Sequence, residues 1–427
     1  MTLSRRSFTR LAAVAGVPWL GSTFRSEREF LAVQRPLPPA PSDPDEAYWA
    51  EVRRRMVLPA DLAFMNAANL CPVSAEGAQA LIATSQQLDA DPSPIMRAKL
   101  AERREVSRQA IADFLSVGAD EILMTRNTSE SNNLVSSGLS LSQGDEVVVL
   151  SDNHPSNEAA WRVKAARFGF TVVTVPVVSP HPGDGYYLEA VARALTPRTR
   201  VLAFTHVTNT VGDRYPAEAL CRLARERNVL SMVDGAQTVG LFDLDLRRVG
   251  PDFYSASIHK WLCGPKETGI LYLNRAVHDR IAPSVVSLYG GKVGISRTLE
   301  AMGQRDEAAL AVLDRPVAFL RGIGMAAIER RALMLADRLR QGLAELPGVE
   351  LWTSRDPARS AAVVALRPGT LDPTRLAAAL YQQDRIVVAT RGGTDRPGIR
   401  FSPHFYNSPA EIDRAITALR SYLAKGV

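Results

Sequence analysis

Between Glu121 and Leu273, seven short apolar runs alternate with longer stretches that carry a helical pattern. The runs are Ile122–Met124, Val147–Leu150, Val172–Val177, Val201–Thr205, Leu230–Val233, Phe253–Ser255 and Gly269–Leu273. Helices long enough to cross over separate the runs, so the pattern predicts a largely parallel sheet with helices on both faces. In such sheets ligands gather beyond the carboxyl ends of the strands. Asp234 follows Leu230–Val233 and His206 follows Val201–Thr205, which puts both at that edge. From about Arg305 a long helical stretch leads into a second lobe. There Ala361–Leu366, Ile386–Ala389 and Gly398–Phe401 read as strands, with Pro373–Gln383 and Pro409–Leu423 as helices. A chain of 427 residues is too long for one ordinary core, in keeping with two lobes.

The edge carries a charged pair. Asp234 lies in Ser231-Met-Val-Asp-Gly-Ala-Gln237, and Lys260 closes Ser257-Ile-His-Lys260, 26 residues later. Pyridoxal 5'-phosphate (PLP) chemistry needs a lysine amine for the Schiff base and an acid that keeps the pyridine nitrogen protonated. Taken alone, such a pair is more often a turn aspartate and a surface lysine. Here the neighbouring residues supply candidates for the remaining cofactor contacts.

Six pieces occur in order: Thr125-Arg-Asn-Thr-Ser-Glu130, Asn153-His154, Thr205-His-Val-Thr-Asn209, Val233-Asp-Gly-Ala-Gln237, Ser257-Ile-His-Lys260 and Arg400-Phe-Ser-Pro-His-Phe-Tyr-Asn407. Together they resemble the class V aminotransferase family, which includes cysteine desulfurases, kynureninases and isopenicillin N epimerases. The resemblance implies the fold type I (aspartate aminotransferase) architecture of PLP-dependent transferases. That is an α/β large domain with a mostly parallel sheet between helices, plus a smaller α+β C-terminal domain. On this division residues 100–305 form the PLP-binding domain and 306–427 the small one, with 48–99 folding back onto the small lobe. The resemblance also implies a homodimer.

By the same resemblance Lys260 forms the Schiff base and then acts as base at the substrate α-carbon. Asp234 pairs with the pyridine nitrogen, Gln237 donates to the ring's phenolic oxygen, Asn209 helps orient that oxygen, and His154 stacks on the ring. Thr128 and Ser129 are expected just before a helix over Glu130–Leu139, where free backbone N–H groups favour the phosphate. A plain helix N-cap uses the same residue types, and the two readings are compatible. Ser257 and His259 supply further phosphate donors. Arg400 grips the substrate carboxylate, for which a planar guanidinium fork is suited. Arg391 is a candidate for a side-chain carboxylate. The family often adds a threonine from the second subunit, where Gly303-Gln-Arg-Asp306 has Gln304 instead.

Phe64-Met-Asn66 and Ser402-Pro-His-Phe-Tyr-Asn407 look most like isopenicillin N epimerase-type members. The first expectation is therefore an enzyme that abstracts the α-proton of an amino acid, giving epimerisation or transamination. A second is an exported PLP enzyme that modifies a peptide-borne residue such as glutamate in siderophore maturation. A third is a PLP-binding envelope protein without catalysis. Between Thr353 and Arg400 there is no cysteine, so persulfide-type desulfuration is not expected.

Residues 1–35 read as an address rather than as fold. Ser4-Arg-Arg-Ser-Phe8 precedes the apolar stretch Leu11 to Leu20, which is too short for an ordinary transmembrane span and resembles a twin-arginine (Tat) signal. Tat carries folded proteins, so a cytoplasmic cofactor could travel inside, and periplasmic or membrane-tethered protein is expected. Residues 36–47 are a proline-rich spacer, with five prolines between Pro36 and Pro44. The formal charge of +6 falls mainly on residues 1–35, net +4, so nucleic acid is not an expected partner. The three cysteines and six histidines show no metal-ligand spacing. Gly322-Ile-Gly-Met-Ala-Ala327 mimics a dinucleotide fingerprint but follows a helical pattern where a strand is required.

Overall fold

A computed structural model of the chain describes residues 37, 38, 40–392 and 395–427. The expected Tat-type signal, Arg5 and Arg6 included, lies outside the described residues. Helix α1 (Glu46–Arg54) starts at Asp45, whose carboxylate accepts from the Tyr48 N–H, and it buries Tyr48, Trp49 and Val52. Strand β1 (Ala63–Phe64) and helices α2 (Ala75–Ala90) and α3 (Pro94–Phe114) follow. Both long helices start at serine caps, Ser74 and Ser93.

Next come β2 (Ile122–Thr125), α4 (Thr128–Gly138), β3 (Glu146–Leu150), α5 (Pro155–Phe168), β4 (Thr171–Val175) and α6 (Asp184–Ala194). The run continues with β5 (Thr199–Thr205), α7 (Ala217–Glu226), β6 (Leu230–Asp234), β7 (Phe253–Ser257) and β8 (Gly269–Leu273). The seven strands form one sheet in the order β2-β8-β7-β6-β5-β3-β4. Only β8 runs against its neighbours. Val148 and Leu150 pack into one apolar cluster, and Val147 and Val149 into another. Both faces are therefore buried, which is why these strands read as continuous apolar runs rather than alternating ones.

The chain then passes through α8 (Glu307–Ala311), α9 (Asp314–Ile323) and α10 (Met325–Ala344). The stretch Ala308–Leu320 is thus two helices with a break at Val312–Leu313. Gly324, with φ +94°, makes the helix-to-helix junction between α9 and α10. The small lobe contains β9 (Val349–Leu351), β10 (Val364–Pro368), α11 (Pro373–Gln382), β11 (Ile386–Val387), β12 (Ala389–Arg391), β13 (Gly398–Phe401) and α12 (Pro409–Lys425). Strands β12-β13-β10-β9 form an antiparallel sheet.

The expected strand Ala361–Leu366 begins three residues late. Its first residues serve the large lobe instead, since the Ala361 N–H donates to Gly212 O at 2.9 Å. Gly212 lies so close to Val363 that a Cβ there would meet the Val363 carbonyl oxygen at 2.5 Å. The early segment reaches the small lobe through β1, which pairs in parallel with β11, and through Glu46, which is ion-paired to Arg331 of α10. Helices α2 and α3 pack on α8 and α9.

Candidate active site

Six strands of the large sheet end at one edge, and β8 begins there: Thr125 and Ser257 both pair with Gly269. Asp234 is the last residue of β6 and is 1% exposed. Its carboxylate accepts from Asn132 Nδ2 at 3.0 Å and from the Ala236 N–H at 3.0 Å. Asn132 is itself oriented by the Ser255 hydroxyl, which donates to its Oδ1 at 2.7 Å. The carboxylate thus has a fixed direction before any ligand arrives. Gly235 permits the turn that follows, because a Cβ there would fall within 1.9 Å of the Tyr254 ring.

Lys260 stands just past β7. Burial pushes its amine down to about 8, Asp234 opposes that shift, and Arg400 adds to it. The imidazole of His154 is also lowered, first by burial and then by Lys260 and Arg400, with Asp234 opposing. Asp234 and Arg400 act on both groups and Lys260 acts on His154, so the four residues share one cleft. His154 caps α5, its Nδ1 accepting from the Ser156 N–H at 3.2 Å. The same Nδ1 lies 2.8 Å from Ser156 Oγ.

At the other corner the Thr128 and Ser257 hydroxyls lie 2.7 Å apart, and the Thr128 N–H donates to Ser257 Oγ at 3.0 Å. Helix α4 starts two residues earlier than the sequence suggests. Asn127 is its cap, accepting from the Glu130 N–H, so Thr128 and Ser129 occupy the first turn rather than precede it. The Ser129 N–H makes no hydrogen bond among the described residues, and it sits where a helix favours an anion. A Cβ at Gly269 would meet Asn127 N at 2.8 Å, so glycine lets this turn lie against the strand edge. His259, lowered to about 4 by burial and by Lys260, has a buried Nδ1 with no partner among the described residues.

Gln237 is held from both ends: it donates to Ala68 O at 3.1 Å, and its Oε1 accepts from Trp261 Nε1 at 2.7 Å. One amide N–H remains for a ligand. Arg400 lies on β13, 8% exposed, and donates to Asn209 O at 2.6 Å and Asn66 Oδ1 at 3.2 Å. Asn209 therefore meets Arg400 through its backbone. Both partners are neutral, and Arg400 Nε is buried without an acceptor among the described residues. Burial and Arg391 push the guanidinium down to about 10, leaving it a cation at neutral pH. A buried cation without a carboxylate is costly unless a ligand brings one. Gln304 lies elsewhere, its amide tied to Arg97 and Glu307 at the surface.

The profile described as Aminotransferase class-V matches residues 92–415. The chain belongs to the class V aminotransferase family. An isopenicillin N epimerase from Streptomyces clavuligerus is 30% identical over 393 residues, covering 87% of this chain and 98% of that protein. A second, from Amycolatopsis lactamdurans, is 30% identical over 392 residues, with 87% and 98% coverage. A probable cysteine desulfurase from Methanothermobacter thermautotrophicus is 27% identical, with 85% and 95% coverage.

The fold matches the cystine C–S lyase C-DES in complex with its product cysteine persulfide. The TM-score is 0.79 at 24% identity, covering 84% of this chain and 98% of that one. Another C-DES structure, with glycine covalently linked to its PLP cofactor, gives 0.78 at 24% identity, with 84% and 97% coverage. This class V site fits PLP on its own geometry: an acid at a strand end, a lysine of lowered pKa, an orphaned histidine nitrogen and a helix N-terminus.

Three contributors were not foreseen. Asn132 reads as one polar residue of a helix, and Asn66 as part of a loop 334 positions from Arg400. Cys71 is packed into the same region, its carbonyl accepting from Lys266 Nζ at 3.0 Å. Asn66 stands in the Phe64-Met-Asn66 piece, but nothing local in the sequence ties any of the three to its partner, and each reaches the site through long-range packing.

Proposed function

We propose that this class V member is a PLP-dependent enzyme acting at the α-carbon of an amino acid or amino-acid-derived substrate, of the epimerase or aminotransferase type. The observation that carries this reading is Lys260, held to about 8, sharing its cleft with Asp234 and with the buried, carboxylate-free Arg400. A protein that only stored PLP would need no carboxylate clamp, which speaks against the carrier alternative. Bound PLP supplies an electron-withdrawing ring that stabilises negative charge at the substrate α-carbon.

The chain's own residues do the rest. Asp234, oriented by Asn132, keeps the ring nitrogen protonated. Thr128, Ser129, Ser257 and His259 hold the phosphate. Gln237 donates its remaining N–H to the ring oxygen. His154 presents the face of a neutral imidazole to the ring. Arg400 would hold the substrate α-carboxylate and so fix the orientation of the α-carbon. Lys260 takes the α-proton, since an amine titrating near 8 can accept and return a proton at neutral pH.

Cysteine desulfurases stand among the relatives, so sulfur chemistry is a live alternative. Cys71, Cys221 and Cys263 are all buried, and Cys71 Sγ is engaged with Tyr406 Oη at 3.6 Å. No thiol stands on the segment between Thr353 and Arg400. Those two facts support α-proton chemistry over persulfide transfer.

The test is a panel of amino acids and peptides, cysteine included, in deuterated water. Deuterium at the α-carbon indicates epimerisation, a keto acid transamination, and sulfide desulfuration. Borohydride should fix PLP to the peptide containing Lys260, and Lys260→Ala should abolish both the link and the exchange. A wild type that neither fixes PLP nor labels any substrate would overturn the proposal.

The same reading extends to assembly and address. Val285, Val286, Leu288 and Tyr289 are 46%, 86%, 70% and 55% exposed on one segment, which supports a homodimer. Light scattering at single-chain mass for active protein would refute that. Arg5 and Arg6 support export through Tat with PLP in place, and Arg5→Lys with Arg6→Lys should hold the protein in the cytoplasm.

A further inference from the structure

The small sheet presents a second arginine beside Arg400. Strands β12 and β13 are antiparallel, with Ala389 opposite Arg400 and Arg391 opposite Gly398. Residues directly opposite share a face, as do residues two apart on a strand, so Arg391 and Arg400 project from the same face. They form a diagonal pair with backbones about 7–8 Å apart, within reach for long side chains. Ala389 and Gly398 occupy the other two corners and add almost no bulk between them.

Arg391 is half-buried and donates from Nε to Arg396 O at 3.1 Å. No carboxylate is ion-paired to it among the described residues. The nearby acids are already engaged. Asp152, 5% exposed, pairs with Arg396 at 3.1 Å and accepts from Thr210 Oγ1 at 2.9 Å. Asp395 pairs with Arg396 at 2.9 Å. Two guanidinium groups therefore repel each other on one face while the local acids are held by a third arginine. Burial comes first and Arg396 second in lowering Arg391, and Arg391 in turn lowers Arg400. Such an arrangement is strained until anions enter it, and two forks at this spacing accept two separate carboxylates.

We propose that Arg391 binds a second acidic group of the substrate, so the site takes an amino acid or amino-acid residue whose side chain ends in a carboxylate. This rests on the assignment of Arg400 to the α-carboxylate under Proposed function. Arg396 is then a positioning residue: its carbonyl holds Arg391 Nε, and its ion pair with Asp152 anchors the loop.

The experiment is calorimetric titration of the PLP-loaded full chain with glutarate and with butyrate, which differ only in the second carboxylate. Glutarate should bind about tenfold more tightly or better, the equivalent of roughly 1.4 kcal/mol. In Arg391→Gln the glutarate-to-butyrate ratio should fall to near one, and in Arg400→Gln both ligands should weaken. Arg391→Lys, which keeps the charge but not the fork, should retain part of the preference. As a second readout, exchange of the α-hydrogen should favour glutamate over glutamine in the wild type and lose that bias in Arg391→Gln. Equal binding of the two acids, with butyrate still dependent on Arg400, would overturn this proposal and leave the PLP reading standing. An equal loss of both ligands in Arg391→Gln would reduce Arg391 to a loop support and likewise overturn it. No binding of either acid and no exchange with any amino acid would sink both readings together.

Discussion

The large sheet and the small sheet face the same cleft, but their polar groups are satisfied differently. On the large sheet Asp234 rests on Asn132 and the Ala236 N–H, Thr128 rests on Ser257, and Gln237 is gripped by Ala68 and Trp261. Those bonds stay inside the protein, so the groups are aimed before a cofactor arrives. On the small sheet, among the described residues, Arg400 touches only neutral oxygens and Arg391 a single carbonyl. The first arrangement orients and the second awaits charge. Fixed dipoles suit a cofactor that stays, because they cost no reorganisation during reaction. Uncompensated cations suit a ligand that comes and goes, because its arrival relieves a desolvated charge.

The large-sheet side of this contrast breaks most severely at Asp234. Asp234→Asn should lower kcat by about 10²–10³-fold, the usual scale for losing one fixed electrostatic stabiliser. Both oxygens of Asp234 accept, so the mutant amide would turn its N–H groups toward a donor, either Asn132 Nδ2 or the Ala236 N–H. Asp252→Asn is the control, since Asp252 accepts from Ser231 N and Oγ at 2.7 and 2.9 Å away from the cleft. If both substitutions reduce kcat alike, the assignment of Asp234 to the ring fails.

On the small-sheet side, Arg400→Gln should act on KM rather than on PLP retention. Breaking a buried charge pair costs about 2–5 kcal/mol, so KM for the amino acid should rise about thirtyfold or more. Loss of PLP from that variant would mean the two sheets are not separable in function.

The pH dependence of cofactor attachment tests Lys260, which both sides influence. Only the neutral amine is nucleophilic, and burial together with Arg400 lowers the group to about 8 against the pull of Asp234. Attachment of PLP to apoprotein should therefore rise about tenfold per pH unit up to about 8 and level off above it. In Arg400→Gln the inflection should move upward, because a repelling cation is gone. An inflection near 10.5 in the wild type would mean that Lys260 is not desolvated.

The smallest effect is expected at Asn132. Asn132→Ala removes one of two bonds to Asp234 and should cost about 1 kcal/mol, or roughly fivefold in kcat. Urea titration separates this from a loss of fold. No change in kcat would show that the Ala236 N–H alone suffices to aim the carboxylate.

Much of the large lobe was legible because its strands are buried on both faces and so stand out as apolar runs. Site residues near the strand ends were legible for the same reason: Asp234 follows such a run directly and Lys260 stands a few residues past another. The misreadings are local and physical. Asn127 rather than Thr128 caps α4, since several neighbouring residues can cap and only the three-dimensional turn selects one. Ala361–Val363 looked like strand, but its apolar residues are buried and its backbone is taken by Gly212 across the lobes.

By itself the sequence determined the element types, the strand-end placement of the charged pair and the family to which the chain belongs. Those depend on short-range periodicity and on motifs within a few residues. The tertiary structure alone decided that Asn132 aims Asp234, that Asn66 and Asn209 share Arg400, and that Arg391 stands beside it while Arg396 takes the acids. Each of these joins residues distant in the chain or separated by a strand turn. Hydrogen bonding and desolvation act through space, so which partner a polar side chain meets, and which cation is left without one, follows only from how the sheets pack.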